Sequence, residues 1–142
     1  MARITRFPKT NIYRRNCLQA FLMRRNFPGF ACHVGQKELR CIGKIDPDPE
    51  GVDSTAYTVE IFYGKLPLVR IVDPYIEPRS EIHMYRSGNL CLYYPGDLKW
   101  HEGKNLHETI VPWTAEWLVL YEWFLHTGKW EGPEAPHRID WQ

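Results

Sequence analysis

The spacing of apolar residues near the start of the chain predicts a first helix. Apolar residues recur at helical spacing until Phe27-Pro28-Gly29 interrupts the pattern, and either Thr10 or Asn11 can serve as the N-cap. The helix is therefore predicted to run to about Asn26. Its apolar positions are Cys17, Leu18, Phe21 and Leu22. We expect this stripe to face the core and the arginines of the helix to face solvent.

Three later segments alternate between apolar and other residues, which is typical of half-buried strands. They cover residues 39–45, 57–63 and 66–72, and turn-rich sequence at 46–51 and at Gly64-Lys65 separates them. Parallel strands need crossover connections of about a dozen residues or more. The short connections here therefore favour an antiparallel meander of three or four strands.

The last third of the chain combines a long irregular segment with a second helix. Residues 73–112 are rich in Pro, Gly, Tyr and His, and an ordered loop of this length usually has a function. Thr114 is the predicted cap of the second helix and Gly128 its end. The core-facing positions are predicted to be Trp117, Leu118, Tyr121, Phe124 and Leu125. This order of elements predicts an α+β fold in one domain, residues 1–142.

Composition narrows the class of protein. The chain has 142 residues, of which 44% are hydrophobic, so it is too apolar to be disordered. It has no apolar run long enough to span a membrane, and its first residues, MARITRFPKTNIYRR, lack the apolar centre of a secretory signal. We therefore expect a cytoplasmic protein with reduced cysteines.

The formal net charge of +1 hides a polarised chain. Residues 1–37 contain eight lysines and arginines and no acidic residue, whereas residues 38–142 contain ten basic and seventeen acidic residues. Four of these arginines fall on the predicted first helix: Arg14, Arg15, Arg24 and Arg25. They form either a solvated face or a docking face for an acidic partner. Nucleic-acid binding by the basic segment is disfavoured, because the acidic remainder opposes attraction to a polyanion.

The cysteines point to one candidate nucleophile. None of the four lies in a C-x-x-C motif, and free cysteines are usually buried in the core. Cys17 falls on the helix stripe and Cys41 on a predicted strand, whereas Cys91 follows Gly88-Asn89 in the irregular segment. His83, Cys91, His101 and His107 lack a recognised metal-ligand spacing, so we expect neither a metal nor another cofactor.

Four short motifs carry a resemblance to a known family. They are His83-x-Tyr85, Gly88–Tyr93 with the sequence GNLCLY, Pro112–Trp117 with PWTAEW, and Gly128–Gly132 with GKWEG. This pattern resembles the active-site region of the ubiquitin-conjugating enzyme fold, and in particular the bacterial ubiquitin-conjugating-like proteins of type II CBASS antiphage operons. The resemblance extends over about residues 10–137 and is most specific for residues 82–132.

The resemblance implies an activity and its partners. Cys91 would form a thioester with the C-terminus of a carrier protein and pass it to a protein acceptor. In CBASS systems the resemblance implies that the carrier is the operon's cyclic-oligonucleotide synthase. The chain shows no nucleotide-binding glycine loop, so either a separate activating enzyme supplies the activated carboxyl or the chain works without one. The alternative is a non-catalytic binding module on the same fold that holds the synthase.

The resemblance also suggests roles for individual residues. Eukaryotic family members carry His-Pro-Asn, with the asparagine supporting the oxyanion, where this chain has His83-Met84-Tyr85. Tyr85, Asn89 or a backbone N–H could replace that asparagine, and His83 is interpreted as a residue that pins the loop. Asp97 and His101 are candidates for steering the acceptor amine. By the same resemblance, the arginines of the first helix would dock the activating partner.

Overall fold

The computed structural model describes residues 11–51, 55–94 and 99–132. In chain order its elements are α1 (Ile12–Asn26), β1 (Ala31–Val34), β2 (Leu39–Ile45), β3 (Tyr57–Tyr63), β4 (Pro67–Asp73), two short 3-10 turns (Ser80–Ile82 and Leu106–Glu108) and α2 (Ile110–Thr127). The strands form one antiparallel sheet in the order β1-β2-β3-β4. The predicted α+β fold and antiparallel meander are therefore confirmed.

The sheet buries one of its faces, as the alternating sequence predicts. In β3 the residues Tyr57, Val59, Ile61 and Tyr63 are all buried, and the residues between them are partly exposed. Successive strand side chains point to opposite faces, so one face forms the core. The strand β1 was not predicted individually, because four residues, Ala-Cys-His-Val, are too few to show a period. It places Cys32 directly opposite Cys41 of β2.

The predicted core stripe of α1 is wrong. Leu18 and Phe21 are 53% and 55% exposed, and Cys17 is also exposed. The buried residues are Asn16, Gln19, Ala20 and Met23. The polar pair can be buried because it is hydrogen-bonded. The Asn16 side chain donates to the Gly35 carbonyl at 3.0 Å, and the Gln19 side chain bridges Asn105 and the Leu106 amide.

The ends of α1 agree better with the sequence. The side chain of Asn11 accepts a hydrogen bond from the Arg14 amide at 2.9 Å, so Asn11 is the N-cap. Thr10, the other predicted cap, lies outside the described residues, as do the first nine residues of the basic segment. The helix ends at Asn26, as predicted.

Arg15 and Arg24 are not simple solvent-facing arginines. The Arg15 guanidinium donates to the carbonyl oxygens of Tyr63 and Gly64 at 3.0 and 2.8 Å, and it lies 3.6 Å from the centre of the Tyr63 ring. Arg15 is therefore half-buried and ties α1 to the turn between β3 and β4. Arg24 is exposed but donates to the Cys32 carbonyl at 2.9 Å. Arg14 and Arg25 lie on the exposed surface.

The helix α2 starts earlier than predicted and buries fewer residues. It begins at Ile110 with Thr109 as the N-cap, and Thr114 is not a cap because its hydroxyl donates to the Ile110 carbonyl inside the helix. Gly128 ends the helix with a φ of 73°, as predicted. Leu125 is 57% exposed rather than buried, because residues 125–129 extend beyond the core and are all exposed. Among the described residues, neither helix has the length and apolar character needed to cross a bilayer.

Candidate active site

A tight reversal of the chain positions the candidate nucleophile. The Tyr85 amide donates to the Asn89 carbonyl at 2.9 Å, and the Gly88 amide donates to the Tyr85 carbonyl at 2.9 Å. Gly88 has a φ of 96°, a conformation that residues with a side chain rarely adopt. Met84 pairs with Leu90 across this turn in an isolated antiparallel bridge. The glycine of the GNLCLY motif thus lets the chain fold back toward His83.

Two backbone hydrogen bonds hold the returning segment. The Leu90 amide donates to the Val69 carbonyl of β4 at 2.8 Å, and the Leu90 side chain is buried in the core. The Cys91 amide donates to the His83 carbonyl at 2.9 Å. Cys91 therefore follows a firmly anchored residue, while its own side chain is only partly buried.

His83 supports this arrangement through its backbone and its ring. It adopts a left-handed conformation with a φ of 58°, which is uncommon for a residue other than glycine. Its carbonyl lies 3.3 Å from the Trp117 indole nitrogen, which also donates to the Ile82 carbonyl at 2.9 Å. Its ring stacks on Trp130 with the ring centres 5.3 Å apart. These contacts favour a loop-holding role for His83 over proton transfer.

Tyr85 contacts the Cys91 thiol directly. The Cys91 Sγ donates to the Tyr85 hydroxyl at 3.3 Å, and the Tyr93 carbonyl lies 4.0 Å from the same sulfur. Burial raises the pKa of Tyr85 above its ordinary value, and the hydrogen bond with Cys91 raises it further. The phenol is therefore protonated at neutral pH. It can donate a hydrogen bond to a thiolate or to an oxyanion formed near it.

The other sequence candidates lie elsewhere or cannot be placed. The Asn89 side chain donates to the Ser87 hydroxyl at 3.1 Å, and Asn89 does not line the cleft beside Cys91. His101 accepts a hydrogen bond from the Gly103 amide at 3.0 Å and does not line that cleft either. Asp97 lies outside the described residues. Of the predicted site residues, the structure thus brings together Cys91, Tyr85 and His83.

A cleft of about 370 Å³ opens beside the thiol. Its lining residues are His83, Cys91, Leu92, Tyr93, Tyr94, Lys99, Trp113, Glu116, Trp117, Leu120 and Trp130. Most of the wall is aromatic or aliphatic, and Lys99 and Glu116 add one charge of each sign. Glu116 was not identified as a site residue from the sequence. The available signal was its place in the PWTAEW motif, directly before the buried Trp117.

The remaining cysteines differ from Cys91 in their surroundings. Cys32 and Cys41 are buried, and Cys17 is exposed on α1. Within residues 11–51, 55–94 and 99–132, His, Cys, Asp and Glu side chains form no group of three or more suited to a metal ion.

The α+β fold and the loop that carries Cys91 indicate a ubiquitin-conjugating-like protein. Comparison with known protein families gives the same class. A family model described as Type II CBASS E2 protein matches residues 19–138, which is most of the chain. The chain therefore belongs to the type II CBASS E2 family, and the resemblance deduced from its motifs is confirmed. A search of curated proteins gave no match.

Proposed function

We propose that this chain is a conjugating-type transferase that carries a protein C-terminus as a thioester on Cys91 and passes it to an amine. One observation carries this proposal: a partly exposed thiol stands at a cleft with a tyrosine hydroxyl 3.3 Å away. A carrier needs a thiol that two macromolecules can reach in turn, and Cys91 lies on a loop beside an open cleft. Membership of the E2 family supports the same class of activity.

In the first step, Cys91 takes the carrier from a thioester on an upstream activating enzyme. The Cys91 thiol loses its proton to solvent, and the thiolate attacks the carrier's terminal carbonyl carbon. Negative charge develops on the carbonyl oxygen, and the protonated Tyr85 hydroxyl can donate a hydrogen bond to it. The upstream carbon–sulfur bond then breaks, the upstream thiolate leaves, and the carrier remains bound to Cys91.

In the second step, an amine of the acceptor protein replaces the sulfur. The amine nitrogen attacks the thioester carbon, an amide bond forms, and the Cys91 thiolate leaves and is reprotonated. The amine must lose a proton during this step. Glu116 is the cleft-lining carboxylate among the described residues, and we assign it the acceptance of this proton.

We propose further that the carrier is the cyclic-oligonucleotide synthase of a CBASS operon. The family description supports a place in a CBASS system, and the resemblance supports the synthase as the protein conjugated there. The acceptors are then cellular proteins with accessible amines. The reaction takes place in the cytoplasm and needs no cofactor on this chain.

The exposed face of α1 is proposed to dock the activating enzyme. Arg14, Leu18, Phe21 and Arg25 are all exposed and follow the i, i+4, i+7, i+11 spacing of one helix face. An apolar centre flanked by cations suits a partner surface that is apolar with an acidic rim. Arg15 and Arg24 are left out of this face, because their guanidinium groups hold the backbone of other elements.

The docking proposal is tested with a double variant that introduces negative charge on the exposed face of α1. Phe21→Asp combined with Arg25→Glu is expected to weaken binding to the activating enzyme about tenfold or more, because it removes an apolar anchor and introduces repulsion. Leu68→Asp is the matched control, since Leu68 is 42% exposed on β4. Equal affinity of wild type and the double variant, measured by calorimetry, would contradict the docking site.

The transferase proposal is tested by supplying the synthase as a preformed C-terminal thioester. This reagent makes an activating enzyme unnecessary. Wild type should form an adduct that amines discharge, Cys91→Ser should form an oxygen ester that is discharged more slowly, and Cys91→Ala should form no adduct. Cys17→Ala is the matched control, because Cys17 is exposed but lies on α1. An adduct formed by Cys91→Ala at the wild-type yield would refute the proposal.

A second candidate function is a non-catalytic module that holds the synthase. The exposed Leu18 and Phe21 favour it, because an apolar helix face can bind a partner without any thiol chemistry. Intact mass measured after mixing with the synthase thioester, with and without a reducing agent, separates the two. A covalent mass increase supports the transferase, and a purely non-covalent complex supports the module.

A further inference from the structure

Two cysteines of the sheet lie side by side and have no part in the thioester chemistry. Cys32 of β1 is directly opposite Cys41 of β2 in the antiparallel register. Such opposite residues point to the same face of a sheet, and their Cα atoms are about 4.5 or 5.5 Å apart. Disulfide bonds join residues whose Cα atoms are about 4.4–6.8 Å apart. The register therefore holds the two thiols at a separation that a disulfide bond can span.

The two thiols differ in how well they are shielded from solvent. The strand β1 is at the edge of the sheet, whereas β2 lies between β1 and β3. Cys32 is 9% exposed, and Cys41 is fully buried. We therefore expect an oxidant as small as hydrogen peroxide to reach Cys32 before Cys41. Redox-sensitive cysteines often have this arrangement, in which a more accessible thiol lies next to a second thiol that can resolve it.

The surroundings of the pair favour a thiolate on Cys32. A hydrogen bond from the Cys41 thiol lowers the pKa of Cys32, and the positive charge of Arg24 lowers it further, while burial acts in the opposite direction. The Arg24 guanidinium donates to the Cys32 carbonyl at 2.9 Å, which holds this charge beside β1. The same thiol–thiol hydrogen bond raises the pKa of Cys41, and burial raises it further. The more accessible thiol is thus also the one that ionises first, and the thiolate is the reactive form.

We propose that Cys32 and Cys41 form a redox-active dithiol, which a hydroperoxide oxidises to a cross-strand disulfide between β1 and β2. This chemistry requires neither a carrier protein nor the thioester function of Cys91. The disulfide closes the turn between the two strands, where the Asn16 side chain of α1 donates to the Gly35 carbonyl. Oxidation therefore fixes the edge strand beside α1 and leaves the thiol of the loop free.

The oxidation takes place in two balanced steps. The Cys32 thiolate attacks one oxygen of hydrogen peroxide, the oxygen–oxygen bond breaks, hydroxide leaves, and Cys32 becomes a sulfenic acid. The Cys41 sulfur then attacks the Cys32 sulfur, the sulfur–oxygen bond breaks, and the hydroxyl group leaves as water with the proton of Cys41. The two thiols together lose two electrons, and the peroxide is reduced to two molecules of water.

The test is a peptide map of the wild-type protein after treatment with hydrogen peroxide. Remaining thiols are blocked with N-ethylmaleimide in denaturant at mildly acidic pH, which prevents disulfide exchange. Trypsin cleaves after lysine and arginine, so the cysteines fall in four separate peptides, 16–24, 26–37, 41–44 and 87–99. The first oxidised product should be peptide 26–37 joined to peptide 41–44, in a protein of monomeric mass. Dithiothreitol should separate the two peptides again.

The exposed thiol of Cys17 on α1 is the internal control. The cross-linked product should form about tenfold faster than Cys17 is oxidised, because Cys32 has the lowered pKa and a second thiol beside it. Oxidation of Cys17 with peptides 26–37 and 41–44 still unmodified would overturn the proposal. Disulfides that join Cys91 to either peptide in preference to the predicted product would overturn it as well.

Two variants separate the roles of the thiols. In Cys41→Ala the oxidation of Cys32 should stop at the sulfenic acid, and dimedone should label peptide 26–37 at least about tenfold more than in wild type. Cys91→Ala is the matched control and should form the cross-strand disulfide at the wild-type rate. Equal labelling of Cys32 in wild type and in folded Cys41→Ala would contradict the resolving role of Cys41. Loss of the disulfide in Cys91→Ala would contradict direct reaction within the pair.

Discussion

Two cysteine environments in this molecule differ in access, backbone setting and chemistry. Cys32 and Cys41 face each other across β1 and β2, and their side chains are buried in the core. Cys91 follows the reversal that ends at Leu90, and its thiol is partly exposed beside an open cleft. The sheet holds two thiols where no macromolecule can reach them, whereas the loop presents one thiol at the surface.

The comparison shows that acidity alone does not define the candidate nucleophile. A hydrogen bond from Cys41 lowers the pKa of Cys32, and the same hydrogen bond together with burial raises the pKa of Cys41. Cys32 is nevertheless only 9% exposed. Cys91 differs by its exposure and by the Tyr85 hydroxyl beside its sulfur. Exposure of the thiol and a neighbouring tyrosine hydroxyl therefore distinguish the loop from the sheet.

The largest expected difference between the two environments is in alkylation rate. Iodoacetamide should modify Cys91 in the native protein at least about a thousandfold faster than Cys41, because Cys41 must wait for the sheet to open. Peptide mapping of samples quenched over time measures both rates. In denaturing urea the four cysteines should react at similar rates. Similar rates for Cys91 and Cys41 in the native state would remove the distinction.

Removal of the Tyr85 hydroxyl should have the next largest effect. Tyr85→Phe is expected to slow acylation of Cys91 by a peptide thioester about a hundredfold, the usual cost of losing an oxyanion donor. Tyr94→Phe is the matched control, because Tyr94 lines the same cleft and is 43% exposed. A Tyr85→Phe rate equal to that of Tyr94→Phe would show that the hydroxyl is a structural contact only.

The raised pKa of Tyr85 also predicts a pH profile. The acylation rate should rise with pH as the Cys91 thiol ionises, and it should not fall again below about pH 10, since the phenol keeps its proton there. The wild-type rate should therefore stay above the Tyr85→Phe rate from about pH 7 to about pH 10. Equal rates of the two proteins near pH 10 would contradict the assigned donor.

The smallest expected contrast is in stability. Cys41→Ser places a hydroxyl in the core and should lower the free energy of unfolding by about 1–3 kcal/mol. Cys91→Ser changes a partly exposed loop position and should stay within about 0.5 kcal/mol of wild type. Urea denaturation followed by tryptophan fluorescence measures both. A larger loss of unfolding free energy in Cys91→Ser than in Cys41→Ser would contradict the assignment of Cys41 to the core and Cys91 to an exposed loop.

The sheet could be predicted from sequence because apolar and other residues alternate regularly along its strands. In β3 the large apolar residues occupy every second position, which determines the buried face: Tyr57, Val59, Ile61 and Tyr63. The orientation of α1 could not be predicted, because its buried residues include Asn16 and Gln19, whose partners lie in distant segments. Hydrophobic periodicity ranks such residues as exposed. It therefore predicted that Leu18 and Phe21 lie in the core, whereas the structure exposes both side chains to solvent.

The candidate site, like the fold, could be predicted from sequence only in part. The family motifs identified Cys91, and its position after Gly88 indicated an exposed loop. The spacing could not decide between Tyr85 and Asn89 as the neighbour of the thiol. The decision depends on how the reversal at Gly88 turns each side chain, and only Tyr85 of the two contacts the sulfur.

The most direct test of the transferase proposal is to locate the bond between this chain and its carrier. Wild type is incubated with the synthase thioester, digested at acidic pH and analysed by tandem mass spectrometry. The account predicts the carrier's C-terminal peptide attached to Cys91 through a bond that hydroxylamine cleaves. Attachment at Cys17 or at a lysine, with Cys91 unmodified, would contradict it.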